Sequence, residues 1–179
     1  MIVRTTSIEG VMLVETDESQ DERGRFARTF DEEVFARAGL ETRFPQHSIA
    51  FNEVAGTIRG LHYQCAPHAE AKVVRCLAGA FFDVAVDMRP LSATYGCWFG
   101  TELSAANRSA LYIPVGCAHG YQTLVDGTQA LYLISSPYVP AAARGIHYAD
   151  PELAIPWPIE TTRISERDRL FPRFADSAS

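Results

Sequence analysis

The sequence has almost no lysine, since fifteen of its sixteen basic residues are arginine and Lys72 is the single exception. Positive charge is also scarce, since 16 basic residues stand against 22 acidic ones. The net charge of −6 argues against a general nucleic-acid or membrane-surface binder. No apolar run approaches the ~18 residues needed to cross a bilayer. The N-terminal residues meet a charge at Arg4, too early for a secretory signal. We therefore expect a cytoplasmic protein with neither nucleic acid nor membrane as a partner.

Closely spaced cysteine pairs are missing as well. The four cysteines, Cys65, Cys76, Cys97 and Cys117, form no C-x-x-C motif, so we expect small buried side chains and neither a disulfide framework nor a zinc site. The length of 179 residues fits one domain, with a short C-terminal tail over about residues 170–179.

Short β-branched or aromatic runs separated by Gly, Pro, Asn or Asp predict strands along most of the chain. One helix is predicted after an N-cap at Thr29 or Asp31 and ends at Gly39. The pattern indicates an all-β jelly-roll barrel or sandwich with a few short helices. The predicted strands are 11–15, 25–30, 46–52, 56–64, 72–77, 81–88, 98–103, 111–113, 118–124, 130–135 and 145–148.

Strand alternation indicates which polar side chains face inward. Lys72 shares its face with Val74 and Cys76, the apolar side of its strand, so it either extends out at the strand end or enters a cavity. Strict alternation places Arg59 and His62 on opposite faces, unless Gly60 marks a bulge that re-aims one of them.

The segment from Pro114 to Gly120 matches the P-x-G-x-x-H pattern of the second cupin motif. A metal-binding cupin also needs an H-x-H pair, but this chain has His62-Tyr63-Gln64 instead. We therefore expect a jelly roll without a metal, in which His119 either contacts substrate or is a core histidine.

A second group of residues could perform proton transfer. His62 would be a general base if a carboxylate of the segment 164–168, which holds Glu166 and Asp168, orients it, and Lys72 could stabilise an enolate oxygen. Tyr132 or Tyr138 could return a proton from the opposite face. The alternative is a structural histidine and a lysine whose ammonium extends to solvent. However, every other basic position is arginine, and this shifts the balance toward a specific requirement for the ammonium of Lys72.

Several motifs together resemble the dTDP-4-dehydrorhamnose 3,5-epimerase family, in the family's order and over nearly the whole chain. The resemblance implies a cupin-like jelly roll with no metal or cofactor, a homodimer, and a nucleotide-diphosphate 4-keto-6-deoxy sugar as substrate. The motifs are D-E-R-G (21–24), R-G-L-H-Y-Q (59–64), K-V-V-R (72–75), D-V-A-V-D-M-R (83–89), I-P-V-G-C-A-H-G (113–120) and D-P with I-P-W-P (150–158).

The resemblance implies a role for each matching residue. His62 is the base, Asp168 its carboxylate partner, Lys72 the enolate stabiliser and Tyr132 the acid on the opposite face. The residues implied to bind the nucleotide or the substrate are Arg23, Phe26, Arg28, Gln46, Arg59, His119 and Tyr138.

One departure concerns the nucleotide base. Arg28 stands where the family commonly has a glutamate that contacts thymine, and a guanidinium offers donors but no acceptor. Thymidine, cytidine, uridine and guanosine diphosphate sugars all remain open. We expect an epimerase acting at C3, C5 or both. The alternatives are a 3,4-ketoisomerase on the same fold, a non-catalytic sugar-nucleotide binder and, more distantly, a metal-dependent cupin oxygenase.

Overall fold

The computed structural model describes residues 1–177, in which antiparallel strands predominate. Two short helices, α1 (Glu32–Arg37) and α2 (Glu166–Arg169), and a 3-10 turn (Phe174–Asp176) complete the secondary structure. The strands are β1 (Ile2–Thr5), β2 (Met12–Glu15), β3 (Glu18–Asp21), β4 (Gly24–Ala27), β5 (Gln46–Asn52), β6 (Ile58–Gln64), β7 (Lys72–Ala78), β8 (Ala80–Asp87), β9 (Trp98–Ser104), β10 (Ala110–Ile113), β11 (Cys117–Thr123), β12 (Thr128–Ile134) and β13 (Ala143–Gly145).

Two sheets form the body of the jelly roll. A six-stranded sheet has the order β1-β2-β10-β7-β12-β5, and a five-stranded sheet has the order β13-β6-β11-β8-β9. Strands β3 and β4 form a separate hairpin that joins neither sheet. The all-β prediction is confirmed.

The main core lies between the two sheets. Val74 and Cys76 of the six-stranded sheet pack there with Phe81 and Ala85 of the five-stranded sheet and with the fully buried Tyr121. Side chains that alternate with these face outward, where α1 covers one sheet and the C-terminal segment covers the other. The predicted inward face of β7, which begins with Lys72, is therefore the face toward the core.

The predicted helix is present as α1. Asp31 is its N-cap and accepts a hydrogen bond from the Val34 N–H at 3.1 Å, and Gly39 follows the helix with φ of +72°. Strands β1 and β3 were not predicted from the sequence. Strand β3 contains no apolar residue, so neither alternation nor propensity indicates it, and it forms by pairing with β4.

The segment predicted as a C-terminal tail lies partly on the barrel. Phe174 is buried among residues of the five-stranded sheet's outer face, and its ring packs 5.2 Å from that of Tyr95. Ala178 and Ser179 lie outside the described residues. Of the cysteines, Cys76 and Cys117 are buried as expected, but the prediction is wrong for Cys97, which is exposed. No helix within residues 1–177 is long and apolar enough to cross a membrane.

Candidate active site

A cavity of about 810 Å³ opens at one end of the barrel, between the two sheets. One wall comes from β5, β7 and β12, and the facing wall comes from β6 and β11. The C-terminal segment around α2 forms part of the rim. Seven of the residues singled out from the sequence line this cavity: Arg59, His62, Lys72, His119, Tyr132, Tyr138 and Asp168.

His62 and Asp168, which are 106 residues apart in sequence, form a pair at the cavity wall. His62 Nε2 lies 2.8 Å from Asp168 Oδ1, and the Gly60 N–H donates to Oδ2 at 3.2 Å. Ser165 caps α2 by accepting a hydrogen bond from the Asp168 N–H at 3.1 Å, which fixes the start of the helix.

The charge state of Asp168 determines the tautomer of His62. Burial raises the pKa of the Asp168 carboxyl, but the hydrogen bonds from His62 and Gly60 outweigh it, so the pKa lies below its usual value. An ionised carboxylate only accepts hydrogen bonds, so His62 Nε2 carries the proton in the neutral ring. Nδ1 is therefore the nitrogen with a free lone pair.

A bulge in β6 brings Arg59 and His62 to the same cavity. His62 pairs with His119 and Arg59 pairs with Tyr121, so β6 has one residue more than β11 over this interval. Gly60 lies in the bulge with φ of +144°, and a Cβ there would lie 2.5 Å from the Cα of Gly120. The structure therefore explains why strict alternation failed at this position.

Lys72 starts β7 with its side chain inside the barrel. Its Nζ lies 2.9 Å from Glu70 Oε1 and donates to the His62 carbonyl oxygen at 3.2 Å. Both charged side chains are only 9% exposed. The lysine is therefore held in the cavity wall and does not extend into solvent.

Tyr132 lies on β12, in the wall that faces His62. Its ring makes an edge contact with His119, with centroids 5.7 Å apart. Burial, with smaller effects from Tyr121 and Asp83, raises the pKa of the Tyr132 hydroxyl well above 10. At neutral pH this phenol therefore keeps its proton and can donate it.

His119 is bonded to a buried carboxylate and not to the backbone. Its Nε2 lies 2.6 Å from Asp83 Oδ1, and within residues 1–177 the other oxygen, Oδ2, has no hydrogen-bond partner. Burial raises the pKa of the Asp83 carboxyl, although His119 and Lys72 oppose this shift. This second histidine–carboxylate pair was not foreseen from the sequence.

The cavity is cationic although the chain is acidic. Five basic side chains line it against two carboxylates, Glu70 and Asp168. Such a local excess of guanidinium and ammonium groups suits a diphosphate. The basic residues are Arg59, Lys72, Arg163, Arg167 and Arg169.

Several residues of the site were not predicted from the sequence. They are Glu70, Asp83 as the partner of His119, and the arginines Arg163, Arg167 and Arg169. A signal for Arg167 and Arg169 was available, because they immediately flank Asp168 in sequence and belong to the same segment. Glu70 precedes the strand that carries Lys72, so alternation could not place it.

Four predicted binding residues do not line this cavity. Arg23 and Phe26 lie on the β3–β4 hairpin, Arg28 lies just after it, and Gln46 lies at the start of β5. Arg23 pairs with Asp21 and Arg28 with Asp31 at the protein surface. Gln46 approaches the rim, because its Oε1 accepts a hydrogen bond from the Tyr138 N–H at 3.3 Å.

The chain holds no evident metal centre in its described part. Among residues 1–177, no three His, Cys, Asp or Glu side chains are grouped so that they could hold a metal ion. His62 and His119 are paired neighbours on β6 and β11, but each contacts its own aspartate.

Comparison with known proteins agrees with this geometry. Residues 5–176 match the dTDP-4-dehydrorhamnose 3,5-epimerase family. The chain is 39% identical to the dTDP-4-dehydrorhamnose 3,5-epimerase of Shigella flexneri, over 99% of this chain and 98% of the relative.

Solved structures give the same result. The dTDP-4-dehydrorhamnose 3,5-epimerase of Elizabethkingia anophelis NUHP1 superimposes with a TM-score of 0.96 at 35% identity, covering 100% of this chain and 99% of the other. The dTDP-6-deoxy-D-glucose-3,5-epimerase of Legionella pneumophila Philadelphia 1, in complex with dTDP-4-keto-L-rhamnose, gives a TM-score of 0.91 at 36% identity, covering 97% and 93%. The chain therefore belongs to the dTDP-4-dehydrorhamnose 3,5-epimerase family and is an epimerase with the family's jelly-roll fold.

Proposed function

We propose that this epimerase inverts C3 and C5 of a dTDP-linked 4-keto-6-deoxyhexose through an enolate, using His62 as base and Tyr132 as acid. The observation that carries the proposal is the placement of these two groups on facing walls of one cavity, with Lys72 in the same cavity. Inversion requires that a proton leaves one face of a carbon and returns to the other. Two walls with a base and an acid meet that requirement.

The first step is proton abstraction at a carbon next to the C4 ketone. His62 accepts the proton at Nδ1, and the Asp168 carboxylate, 2.8 Å from Nε2, stabilises the imidazolium that forms. The electron pair left behind moves into the C4 oxygen. The ammonium of Lys72 stabilises the negative charge that develops there.

The second step returns a proton from the opposite wall. The Tyr132 hydroxyl keeps its proton at neutral pH, so it can donate to the enolate carbon. Because the ketone acidifies both neighbouring carbons, the same set of groups serves C3 and C5, once His62 has released its proton to solvent and Tyr132 has taken one up. No redox step is involved, and protons are the only atoms exchanged.

The diphosphate occupies the basic part of the cavity. Arg59 is held in place because its Nε donates to Asn52 Oδ1 at 2.8 Å. Arg167 lies over the Phe171 ring, with Cζ 5.3 Å from the centroid, and contacts the Tyr138 hydroxyl at 3.3 Å. The names of the Shigella and Legionella relatives support thymidine as the base.

We further propose that the protein acts as a homodimer in which the partner subunit's hairpin completes the nucleotide site. Support comes from Arg23, Phe26 and Arg28, which do not line their own chain's cavity. Phe26 is 74% exposed, and the edge strand β5 exposes Ile49 and Phe51, so apolar surface is available for association.

Light scattering after gel filtration tests the dimer, which should have twice the 19.8 kDa mass of the chain. A mixing experiment tests the shared site. Chains carrying His62→Ala and chains carrying Arg23→Ala should each be inactive, but refolding them together should restore about one quarter of wild-type activity, because one intact site then forms in half of the dimers. No recovery would contradict the shared site.

The main test is hydrogen exchange in D2O. The protein is incubated with a dTDP-4-keto-6-deoxyglucose, and C3 and C5 are followed by NMR together with analysis of the product. We expect deuterium at both carbons and an inverted product. Absence of exchange at both carbons would refute the epimerase proposal. A product with its carbonyl moved to C3 would identify a ketoisomerase, and binding without exchange would identify a non-catalytic binder.

Variants assign the roles in this assay. His62→Asn should abolish exchange and leave TDP binding nearly intact. Lys72→Arg should fold but lose most activity, because a planar guanidinium cannot replace a compact ammonium at a fixed site. Thermal shifts with TDP, UDP, CDP and GDP should be largest for TDP, and a larger shift with another nucleotide would revise the base.

A further inference from the structure

The Lys72 ammonium has two fixed partners in the cavity wall. They are Glu70 Oε1, 2.9 Å from Nζ, and the His62 carbonyl oxygen, at 3.2 Å. An ammonium has three N–H donors, so these contacts leave one N–H for a third acceptor. Because Lys72 and Glu70 both line the cavity and are only 9% exposed, a molecule in the cavity is the natural third partner.

Glu70 is itself held through its second oxygen. Oε2 accepts a hydrogen bond from Gln64 Nε2, and the same amide nitrogen contacts the carbonyl oxygens of His68 at 3.0 Å and Pro137 at 3.2 Å. The Gln64 Oε1 accepts from the Val139 N–H at 2.6 Å. The carboxylate is therefore fixed from two sides, by a lysine of β7 and a glutamine of β6.

We propose that Glu70 is a positioning residue for the epimerisation. Its carboxylate holds the Lys72 ammonium so that one N–H is aimed at the oxygen that becomes negative when the enolate forms. This inference rests on the proposed function, in which Lys72 stabilises that oxygen. Glu70 does not contact the reacting atoms and acts through Lys72.

Two effects of opposite sign follow from a carboxylate beside the ammonium. The carboxylate partly cancels the positive charge that stabilises the enolate, and it also keeps a long, flexible side chain in one place. The burial of the pair indicates which effect dominates. Without Glu70 the ammonium would lose the carboxylate that it contacts, so it would move to water or toward another acceptor such as the buried Asp83 carboxyl. Preorganised donors are what stabilise an oxyanion, so losing the anchor should slow the reaction.

Two variants separate the hydrogen bond from the charge. Glu70→Ala removes both, and we expect kcat to fall by roughly 30-fold with KM changed by less than about twofold. Glu70→Gln keeps one oxygen for Lys72, but its NH2 group then faces the NH2 of Gln64. We therefore expect an intermediate loss in kcat of about fivefold.

A double-mutant cycle identifies Lys72 as the group through which Glu70 acts. In a Lys72→Met background, Glu70→Ala should change the rate of deuterium exchange by less than about twofold, because there is no ammonium left to position. A purely structural role would lower the rate by the same factor in both backgrounds. Glu152→Ala, which removes an exposed glutamate on a turn away from the cavity, is the matched control and should retain wild-type rates.

The outcomes are distinguishable in one assay of wild type and variants with dTDP-4-keto-6-deoxyglucose in D2O. No exchange by the wild type would refute the proposed function, and the inference about Glu70 with it. Exchange by the wild type with unchanged or higher kcat in Glu70→Ala would overturn the positioning role alone. Equal losses in both Lys72 backgrounds would also overturn it. If Glu70→Ala does not fold by circular dichroism, Glu70→Gln decides, and a wild-type kcat in that variant would overturn the inference.

Discussion

Replacing Asp168 by asparagine should remove the base function of His62 while leaving the shape of the site almost unchanged. The carboxylate now accepts two hydrogen bonds, from His62 Nε2 at 2.8 Å and from the Gly60 N–H at 3.2 Å. These two donors use different oxygens of the carboxylate, and asparagine has an oxygen at only one of the two positions, so it can accept from only one of them. If the amide oxygen accepts from the Gly60 N–H, the NH2 group faces His62 Nε2 and donates to it. Nε2 must then be unprotonated, so the ring proton lies on Nδ1. The nitrogen that accepts the substrate proton is then blocked.

The structure also sets the size of the effect. Burial raises the pKa of Asp168, but hydrogen bonds from His62 and Gly60 bring it below its usual value, so the wild-type carboxylate is charged at neutral pH. We expect kcat to fall by about 10³–10⁴-fold, as for a general base presented in the wrong tautomer. Loss of a charge-assisted hydrogen bond should cost about 1–2 kcal/mol of stability, or a Tm decrease of about 2–8 °C.

The assay is deuterium exchange at C3 and C5 of the 4-keto sugar, with KM and Tm measured on the same preparations. Glu166→Gln is the matched control, because Glu166 lies on the same helix, is exposed and does not line the cavity. We expect this control to behave as the wild type does. If Asp168→Asn keeps kcat within about tenfold of the wild type, the carboxylate is not what orients His62, and the reasoning is wrong.

Three further predictions concern backbone, charge and thiols. Gly60→Ala should lower the free energy of unfolding, measured by urea denaturation, by about 2–4 kcal/mol, because the new Cβ would lie 2.5 Å from the Gly120 Cα and φ is +144°. A decrease of less than about 0.5 kcal/mol would show that the bulge can relax. Burial raises the pKa of the Asp87 carboxyl, but hydrogen bonds donated by a neighbouring arginine and two hydroxyls bring this pKa below the unfolded value. The ionised carboxylate therefore stabilises the fold fully at neutral pH, and this stabilisation is lost as the pH falls below about 4. The Tm of the wild type should therefore fall more steeply between about pH 4 and pH 2 than that of Asp87→Asn, and parallel curves would contradict this. Burial raises the pKa of the Cys117 thiol to about 12, whereas Cys97 is exposed. Iodoacetamide at about pH 8 should therefore label Cys97 far faster than Cys117, as measured by peptide mass spectrometry. Equal labelling of the two thiols in the folded protein would refute this prediction.

Local pattern was enough to predict much of the barrel. Alternation in β7 depends only on neighbouring residues, and it correctly placed Lys72 on the inward face with Val74 and Cys76. The position of His62 needed more, because the extra residue at Gly60 reverses the expected face. A glycine indicates where such a bulge can occur, but the pairing partner determines whether it does.

Contacts between different strands could not be predicted from pattern. Glu70 and Lys72 are close in sequence, yet the partner that orients Glu70 is Gln64 on another strand. The buried contact between Asp83 and His119 likewise depends on how β8 and β11 pair.

The β3–β4 hairpin shows a different limit. Its residues were expected at the same cavity as Arg59, but the hairpin joins neither sheet of its own chain. Under the proposed dimer these side chains come from the partner subunit, and a motif in sequence does not specify which subunit supplies a residue.

The pairing of His62 with Asp168 has a consequence for the order in which function is acquired during protein synthesis. His62, the proposed base, is translated 106 residues before Asp168, the carboxylate that it contacts. Both sheets are complete in sequence once β13 has been made, so a chain in which α2 has not yet docked can form the barrel. Such an intermediate would already contain Lys72 and Tyr132 but would leave the His62 ring without its orienting partner. In the proposed mechanism His62 becomes a base only when α2 docks against β6, so this short helix is the last element of the chain that the His62–Asp168 pair requires.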